Sequence, residues 1–181
     1  LGIVECYIGK RIYLDGSQAP NPCIRADCSG ESAMGLALSG DLLGLPRPAQ
    51  IARNLIDFVF LRSEMSQSRR SDPNSPVFGM LSHSTESIGQ NWRDGTAYAL
   101  LGAIATACVL QDSRWDGAIC RTILANLRLT NADGYSESMI SDDAILSQGW
   151  ETYWYREGRF YSPHYQSYIW ATFLWLYDKT G

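Results

Sequence analysis

The chain has 181 residues and a formal net charge of −4, with 19% charged and 12% aromatic residues. The excess of acid over base argues against a phosphate-binding surface, so we expect no nucleic-acid partner. No run of about 18 apolar residues lacks polar interruption, which predicts no membrane partner. The length suits one domain over residues 1–181, and the absence of an initiator Met suggests a piece of a longer protein.

The N-terminal part predicts an extended segment followed by a helix. Residues 2–14 carry β-branched and aromatic side chains and end at the turn signal Asp15-Gly16. They predict one or two short strands or an irregular extended lead-in. A polar loop should follow as far as Ser29, the expected N-cap of a helix that stops near Gly44.

Two helix pairs are predicted from apolar residues that recur at helical spacing. Pro46 suits the first turn of a helix that continues to about Ser63, and its short link to the preceding helix requires an antiparallel αα-hairpin. Asp94 is the expected N-cap of an almost wholly apolar helix that reaches about Leu110. A helix over 114–129 completes the second hairpin.

Long loops separate these hairpins from each other and from a last helix. Residues 65–91 form a loop rich in Ser, Asn, Gly and Pro, and loops of that length are usually functional or disordered. Residues 135–160 read as a loop with a short helix around 142–148. Ser162 as N-cap and Pro163 at the first helical position then open a helix with no partner after it.

The cysteines and the short motifs predict neither a metal site nor a bound cofactor. The five cysteines form no Cys-x-x-Cys pair and no Cys/His cluster with zinc spacing. Cys108 and Cys120 fall in helical patterns and should be buried, whereas Cys23 and Cys28 could pair in an oxidising compartment. No Gly-rich phosphate loop or nucleophile elbow is present.

A set of motifs resembles a group of bacterial proteins of the six-hairpin glycosidase-like superfamily. The resemblance runs through most of the chain and is carried by residues 26–34, 71–76, 94–98 with 101–102, 124–130 and 161–166.

The resemblance implies a fold and a partner. The fold is all-α, with antiparallel αα-hairpins that form part of an (α/α)6 toroid and a short extended N-terminal segment. Many members are glycoside hydrolases or polysaccharide lyases, so the implied partner is a carbohydrate. Since two and a half hairpins do not close a toroid, we also expect self-association or docking on the rest of a longer chain.

The function predicted from this pattern is glycoside hydrolysis on an oligo- or polysaccharide. That chemistry requires an acid and a second carboxylate, about 5–5.5 Å apart for retention or about 6.5–9.5 Å apart for inversion. We assign Asp94 as base or orienter and Glu86 as acid, with Asp27 as the next candidate. In the family pattern a second acid and an Arg stand where this chain has Gly95 and Tyr98. The alternative is a non-catalytic carbohydrate-binding or structural helical module.

The predicted substrate-binding residues are aromatic, imidazole and guanidinium side chains in the same loops and helix starts. Trp92 and Trp154 could stack under a sugar ring, whose C–H face is apolar, although core packing is an alternative for either. His83 and His164 could bind a hydroxyl or move a proton. Arg93, beside Trp92, completes the set.

Overall fold

A computed structural model describes residues 3–157 and 162–181. The prediction of a mostly helical chain is confirmed for this part, which contains six α-helices and four short strands. Tyr161, at the start of the last motif, and the end of the predicted 135–160 loop lie outside the described residues.

The N-terminal segment is a β-hairpin. Strands β1 (Val4–Ile12) and β2 (Gln18–Ile24) pair antiparallel, with Val4 opposite Ile24. In the turn, the Asp15 carboxylate accepts a hydrogen bond from the Ser17 backbone N–H at 2.9 Å, and Gly16 has φ +80°. The predicted loop before Ser29 was therefore wrong over β2, because the partner strand supplies hydrogen bonds that the local sequence does not reveal.

Helix α1 (Ala26–Leu43) begins three residues before the predicted N-cap. Ser29 lies inside the helix and is fully buried, so its assignment as the cap was wrong. The end near Gly44 was predicted correctly. Gly44 is left-handed with φ 65°, a conformation that glycine adopts without strain. Helix α2 (Pro46–Asp57) follows, and a π-helical turn extends it over Phe58–Arg62.

The second half adds four helices and a second small sheet. Strand β3 (Gln90–Trp92) pairs antiparallel with β4 (Met139–Ser141), which lies within the segment predicted as a loop. The short helix around 142–148 was predicted correctly. The elements are β3 (Gln90–Trp92), α3 (Arg93–Leu110), α4 (Asp116–Arg128), β4 (Met139–Ser141), α5 (Asp142–Gln148) and α6 (Pro163–Thr180).

Helices α1 and α3 pack together more closely than ordinary side chains permit. A Cβ atom on Gly102 would lie 2.8 Å from Gly30 Cα, and one on Gly30 would lie 2.7 Å from Ala99 Cα. The two backbones therefore touch where both helices carry glycine. This contact fixes the start of α1 beside the start of α3. The main apolar core surrounds it and includes Ala33 and Leu100.

A buried polar network fixes β3 against β4. The Asn91 side-chain amide donates to the Ile140 carbonyl at 2.9 Å and to Asp142 Oδ1 at 2.8 Å. Arg70 forms a buried ion pair with the other oxygen of Asp142. Since β3 leads directly into α3, this network determines where Trp92 and the first turn of α3 lie. Within the described residues, no helix has the length and apolarity needed to cross a membrane.

Candidate functional site

The first turns of α1, α3 and α6 meet at one end of the molecule. Asp27, Asp94 and His164 are each the second residue of their helix. His164 Nε2 lies 2.8 Å from Asp94 Oδ2. Asp94 was predicted as the N-cap of α3, but Trp92 holds that position and makes no side-chain cap. The Asp94 carboxylate therefore contacts α6, and the capping prediction was wrong.

The side chains of His83 and Asp27 both lie close to Gly95. A Cβ atom on Gly95 would lie 3.0 Å from His83 Nδ1 and 3.7 Å from Asp27 Oδ2. His83 Nδ1 is itself buried and has no hydrogen-bond partner in the described part of the chain. We call Asp27, His83, Asp94 and His164 the mouth cluster.

Burial controls the protonation of the His83 imidazole. It lowers the pKa of His83, and the charge of Arg25 lowers it further, while Asp27 and Asp94 act in the opposite direction. A neutral imidazole can accept a proton or a hydrogen bond at one nitrogen and donate at the other. His83 is thus suited to contact a ligand hydroxyl.

Arg25 supplies the positive charge beside Asp27. Its guanidinium pairs with Asp27 and lies 3.8 Å from Glu5, and Asp27 Oδ1 accepts from the Cys28 N–H at 2.9 Å. Glu5, Asp27 and Cys28 bring one possible metal-ligating atom each within 4.8 Å of one another. The Arg25 cation already pairs with both carboxylates of this group.

The Cys23 and Cys28 thiols near Arg25 are expected to be unreactive. Cys23 and Cys28, which could have formed a disulfide, are free thiols. Burial and a hydrogen bond with Glu5 raise the pKa of Cys28 to about 12. A thiol with such a pKa is a poor nucleophile near neutral pH.

Aromatic rings border the mouth cluster on the α6 side. The Trp92 ring lies 6.1 Å from His83 and 6.3 Å from Tyr165, measured between ring centroids. Tyr98 and Tyr168 are 4.6 Å apart, and their hydrogen bond, with burial, raises the pKa of Tyr98 to about 12. The phenol of Tyr98 therefore stays protonated and uncharged near neutral pH.

A pocket of about 870 Å³, which we call the Trp92 pocket, lies on the Trp92 side of the cluster, and none of the four cluster residues lines it. Trp92 is part of its wall, together with Tyr135, Ser136 and Arg156. Its size is within the range of small-molecule sites, and it combines rings with hydrogen-bonding groups. Trp92 links the pocket to the mouth cluster.

Three predicted site residues lie elsewhere. Glu86 is exposed in its loop, where its charge helps to raise the pKa of the Cys23 thiol. Trp154 is 54% exposed and lines a different groove, of about 660 Å³, with Trp150. Arg93 is only 3% exposed, and its guanidinium binds protein oxygens. The structure thus brings together Asp27, Asp94, His83, His164 and Trp92 from the predicted set.

Several residues of the site were not predicted from the sequence. Tyr168 follows His164 at helical i, i+4 spacing, and this signal would have placed both on one face. Ser136 carries no comparable local signal, because its partners Arg93 and Gln166 are distant in the sequence.

Comparisons of the chain with protein-family models, with curated proteins and with solved structures find no match. The resemblance to six-hairpin glycosidases accordingly remains a prediction from the motifs.

Proposed function

We propose that the chain is a glycoside hydrolase that acts on an oligo- or polysaccharide. The observation that supports this best is the meeting of two carboxylates, Asp94 and Asp27, around Gly95 and His83 beside the Trp92 pocket. Paired carboxylates next to an aromatic wall suit a sugar whose ring stacks while its glycosidic oxygen lies between acid and base.

Each member of the cluster has a role in this proposal. Asp94 is the base, as predicted from the sequence, and its contact with His164 orients the carboxylate and offers a route for a proton. Asp27 is the second carboxylate, replacing Glu86 as the preferred partner because it lies at Gly95. Glu86 stays a candidate acid, three residues along the loop from His83.

The toroid is part of the same proposal. The starts of α1, α3 and α6 meet at one end, as the inner helices of an (α/α)6 arc would. Helix α6 packs on α3 and α4 and leaves Leu174 and Tyr177 about 70% exposed. An apolar face of this kind suits further hairpins or a second copy of the chain.

A carbohydrate-binding module without catalysis is the second candidate, and Gly95 favours it. The family pattern has an acid at this position, but a Cβ atom there would lie 3.0 Å from His83 Nδ1. An acidic side chain therefore requires His83 to move. The site of this chain is built around His83 instead.

Release of reducing ends from a panel of oligosaccharides and polysaccharides tests the proposal. We expect release by the unaltered chain and its loss in Asp94→Asn and Asp27→Asn, with Glu86→Gln reporting on the predicted acid. Asp116→Asn is the matched control, since Asp116 is an exposed first-turn acid on α4. Saturable binding that depends on Trp92, without release by any form, would replace the hydrolase with the binding module.

A further inference from the structure

Ser136 is held on three sides within the wall of the Trp92 pocket. Arg93 Nε donates a hydrogen bond to Ser136 Oγ. The buried Gln166 side chain donates to the Ser136 carbonyl at 2.8 Å and accepts from its N–H at 3.3 Å. The backbone and the hydroxyl of Ser136 are thus both fixed by hydrogen bonds.

The guanidinium behind Ser136 is anchored by neutral oxygens. Arg93 Nη1 donates to the Asn126 carbonyl at 3.1 Å and to Asn126 Oδ1 at 2.7 Å, and Nη2 donates to Thr130 Oγ1 at 3.3 Å. Burial lowers the pKa of Arg93 to about 9. A cation held this way, with no carboxylate among these partners, polarises the hydroxyl that accepts from it.

The Ser136 hydroxyl has a proton to donate. Its oxygen accepts from Arg93, and within residues 3–157 and 162–181 no protein group accepts from it. A hydroxyl oxygen that accepts a hydrogen bond from a cation becomes a stronger donor through its own O–H group. Because Ser136 lines the pocket, an oxygen atom of a bound molecule is a suitable acceptor.

We propose that Ser136 is a ligand-binding residue, whose hydroxyl donates a hydrogen bond to a saccharide oxygen in the Trp92 pocket. That oxygen belongs to a ring hydroxyl or to a sugar carboxylate. Trp92 and Arg93 are consecutive, so the strand that presents the stacking ring also positions the guanidinium that orients Ser136. The inference rests on the proposed function for the class of ligand, but it does not require catalysis.

Titration calorimetry on the full chain tests this directly. The probes are neutral hexasaccharides of glucose, xylose and mannose, with oligogalacturonate as the carboxylate-bearing arm. For whichever probe binds, Ser136→Ala should weaken affinity about tenfold, and Ser136→Thr, which keeps the hydroxyl, should recover most of the loss. Ser147→Ala, on the exposed face of α5, should bind as the unaltered chain does.

The outcomes separate a ligand role from a structural one. If Ser136→Ala lowers only resistance to urea and leaves affinity unchanged, the inference is overturned, because the hydroxyl then serves Arg93 alone. Ser136-dependent binding without reducing-end release supports the inference and rejects the hydrolase. Release of reducing ends that Ser136→Ala leaves at the same KM rejects the inference and keeps the hydrolase. Failure of every probe to bind the unaltered chain also overturns the inference.

Discussion

His164 Nε2 and Asp94 Oδ2 lie 2.8 Å apart although 70 residues separate them in the sequence. The contact connects the second residue of α6 to the second residue of α3. It places an imidazole and a carboxylate next to the Tyr98 and Tyr165 rings, where neither side chain serves as a helix cap. Both side chains remain accessible, with 50% and 21% exposed respectively, so the pair is available to a ligand.

Removing the imidazole should affect ligand binding more than stability. An exposed contact between two polar side chains contributes at most about 1 kcal/mol, so His164→Ala should change the free energy of unfolding by less than about 1 kcal/mol. The same variant should lose binding or turnover, because Asp94 is no longer oriented. Urea unfolding and glycan titration measure the two effects. His164→Gln, which keeps a donor, is the control, and a large loss of stability in His164→Ala would show a structural role instead.

Gly102→Ala should destabilise the fold strongly. The added methyl group would lie 2.8 Å from Gly30 Cα, so α1 and α3 must separate. Overpacking typically costs about 1–3 kcal/mol, and a clash with backbone should reach or exceed the upper value. Gly35→Ala is the matched control in α1, since nothing lies within 4 Å of its Cβ position, and it should stabilise the helix by about 0.5–1 kcal/mol. Urea unfolding of both variants decides whether the glycine contact exists.

Asp142→Ala should be costly because it leaves Arg70 buried without its partner. Arg70 is 4% exposed and Asp142 8% exposed. Removing one member of a buried ion pair typically costs about 3–5 kcal/mol. The exposed pair Asp178 and Lys179 provides the control, and Asp178→Ala should cost no more than about 1 kcal/mol. Equal, small losses in chemical unfolding would contradict the role of Arg70 and Asp142 in fixing β3 against β4.

The fold should lose stability in mild acid through His83. Burial lowers the pKa of His83 below its usual value of about 6.5, so the unfolded chain binds more protons as the pH falls below that value. The free energy of unfolding should therefore decrease from about pH 6.5 downwards. The His83→Asn variant should lack this decrease in the free energy of unfolding. Above about pH 7.5 the variant and the unaltered chain should show the same pH dependence. Identical profiles at every pH would show that His83 is not held neutral.

The sequence predicted the helices well, because their apolar periodicity and their Gly and Pro boundaries are local. Pro163 and Gly44 mark ends that the structure retains. Strands β2 and β4 escaped prediction, because each depends on a partner strand. Ser29 and Asp94 are residue types that commonly cap helices. In the folded chain, however, Ser29 is buried inside α1, and the Asp94 side chain contacts His164.

The candidate site also combines residues that have a local sequence signal with residues that have none. Asp94, Trp92 and His164 were predicted because they lie at predicted helix starts, and the structure places them close together. Arg93 shows the limit of that reasoning, since adjacency to Trp92 suggested a ligand contact and the structure gives its guanidinium protein partners. Asp27 and His83, which were predicted for different roles, both approach Gly95, where a side chain would crowd His83.

The most direct test of the mouth cluster uses the two histidines of the chain, His83 and His164, which both belong to it. With 15N-labelled histidine, the imidazole resonances can be followed by NMR during titration with the oligosaccharide panel. We predict that one saccharide shifts both imidazole resonances with a single saturation curve, and that Trp92→Ala weakens its binding. A saccharide that binds, as calorimetry shows, while both imidazole signals stay unchanged would place the sugar elsewhere and contradict the assignment.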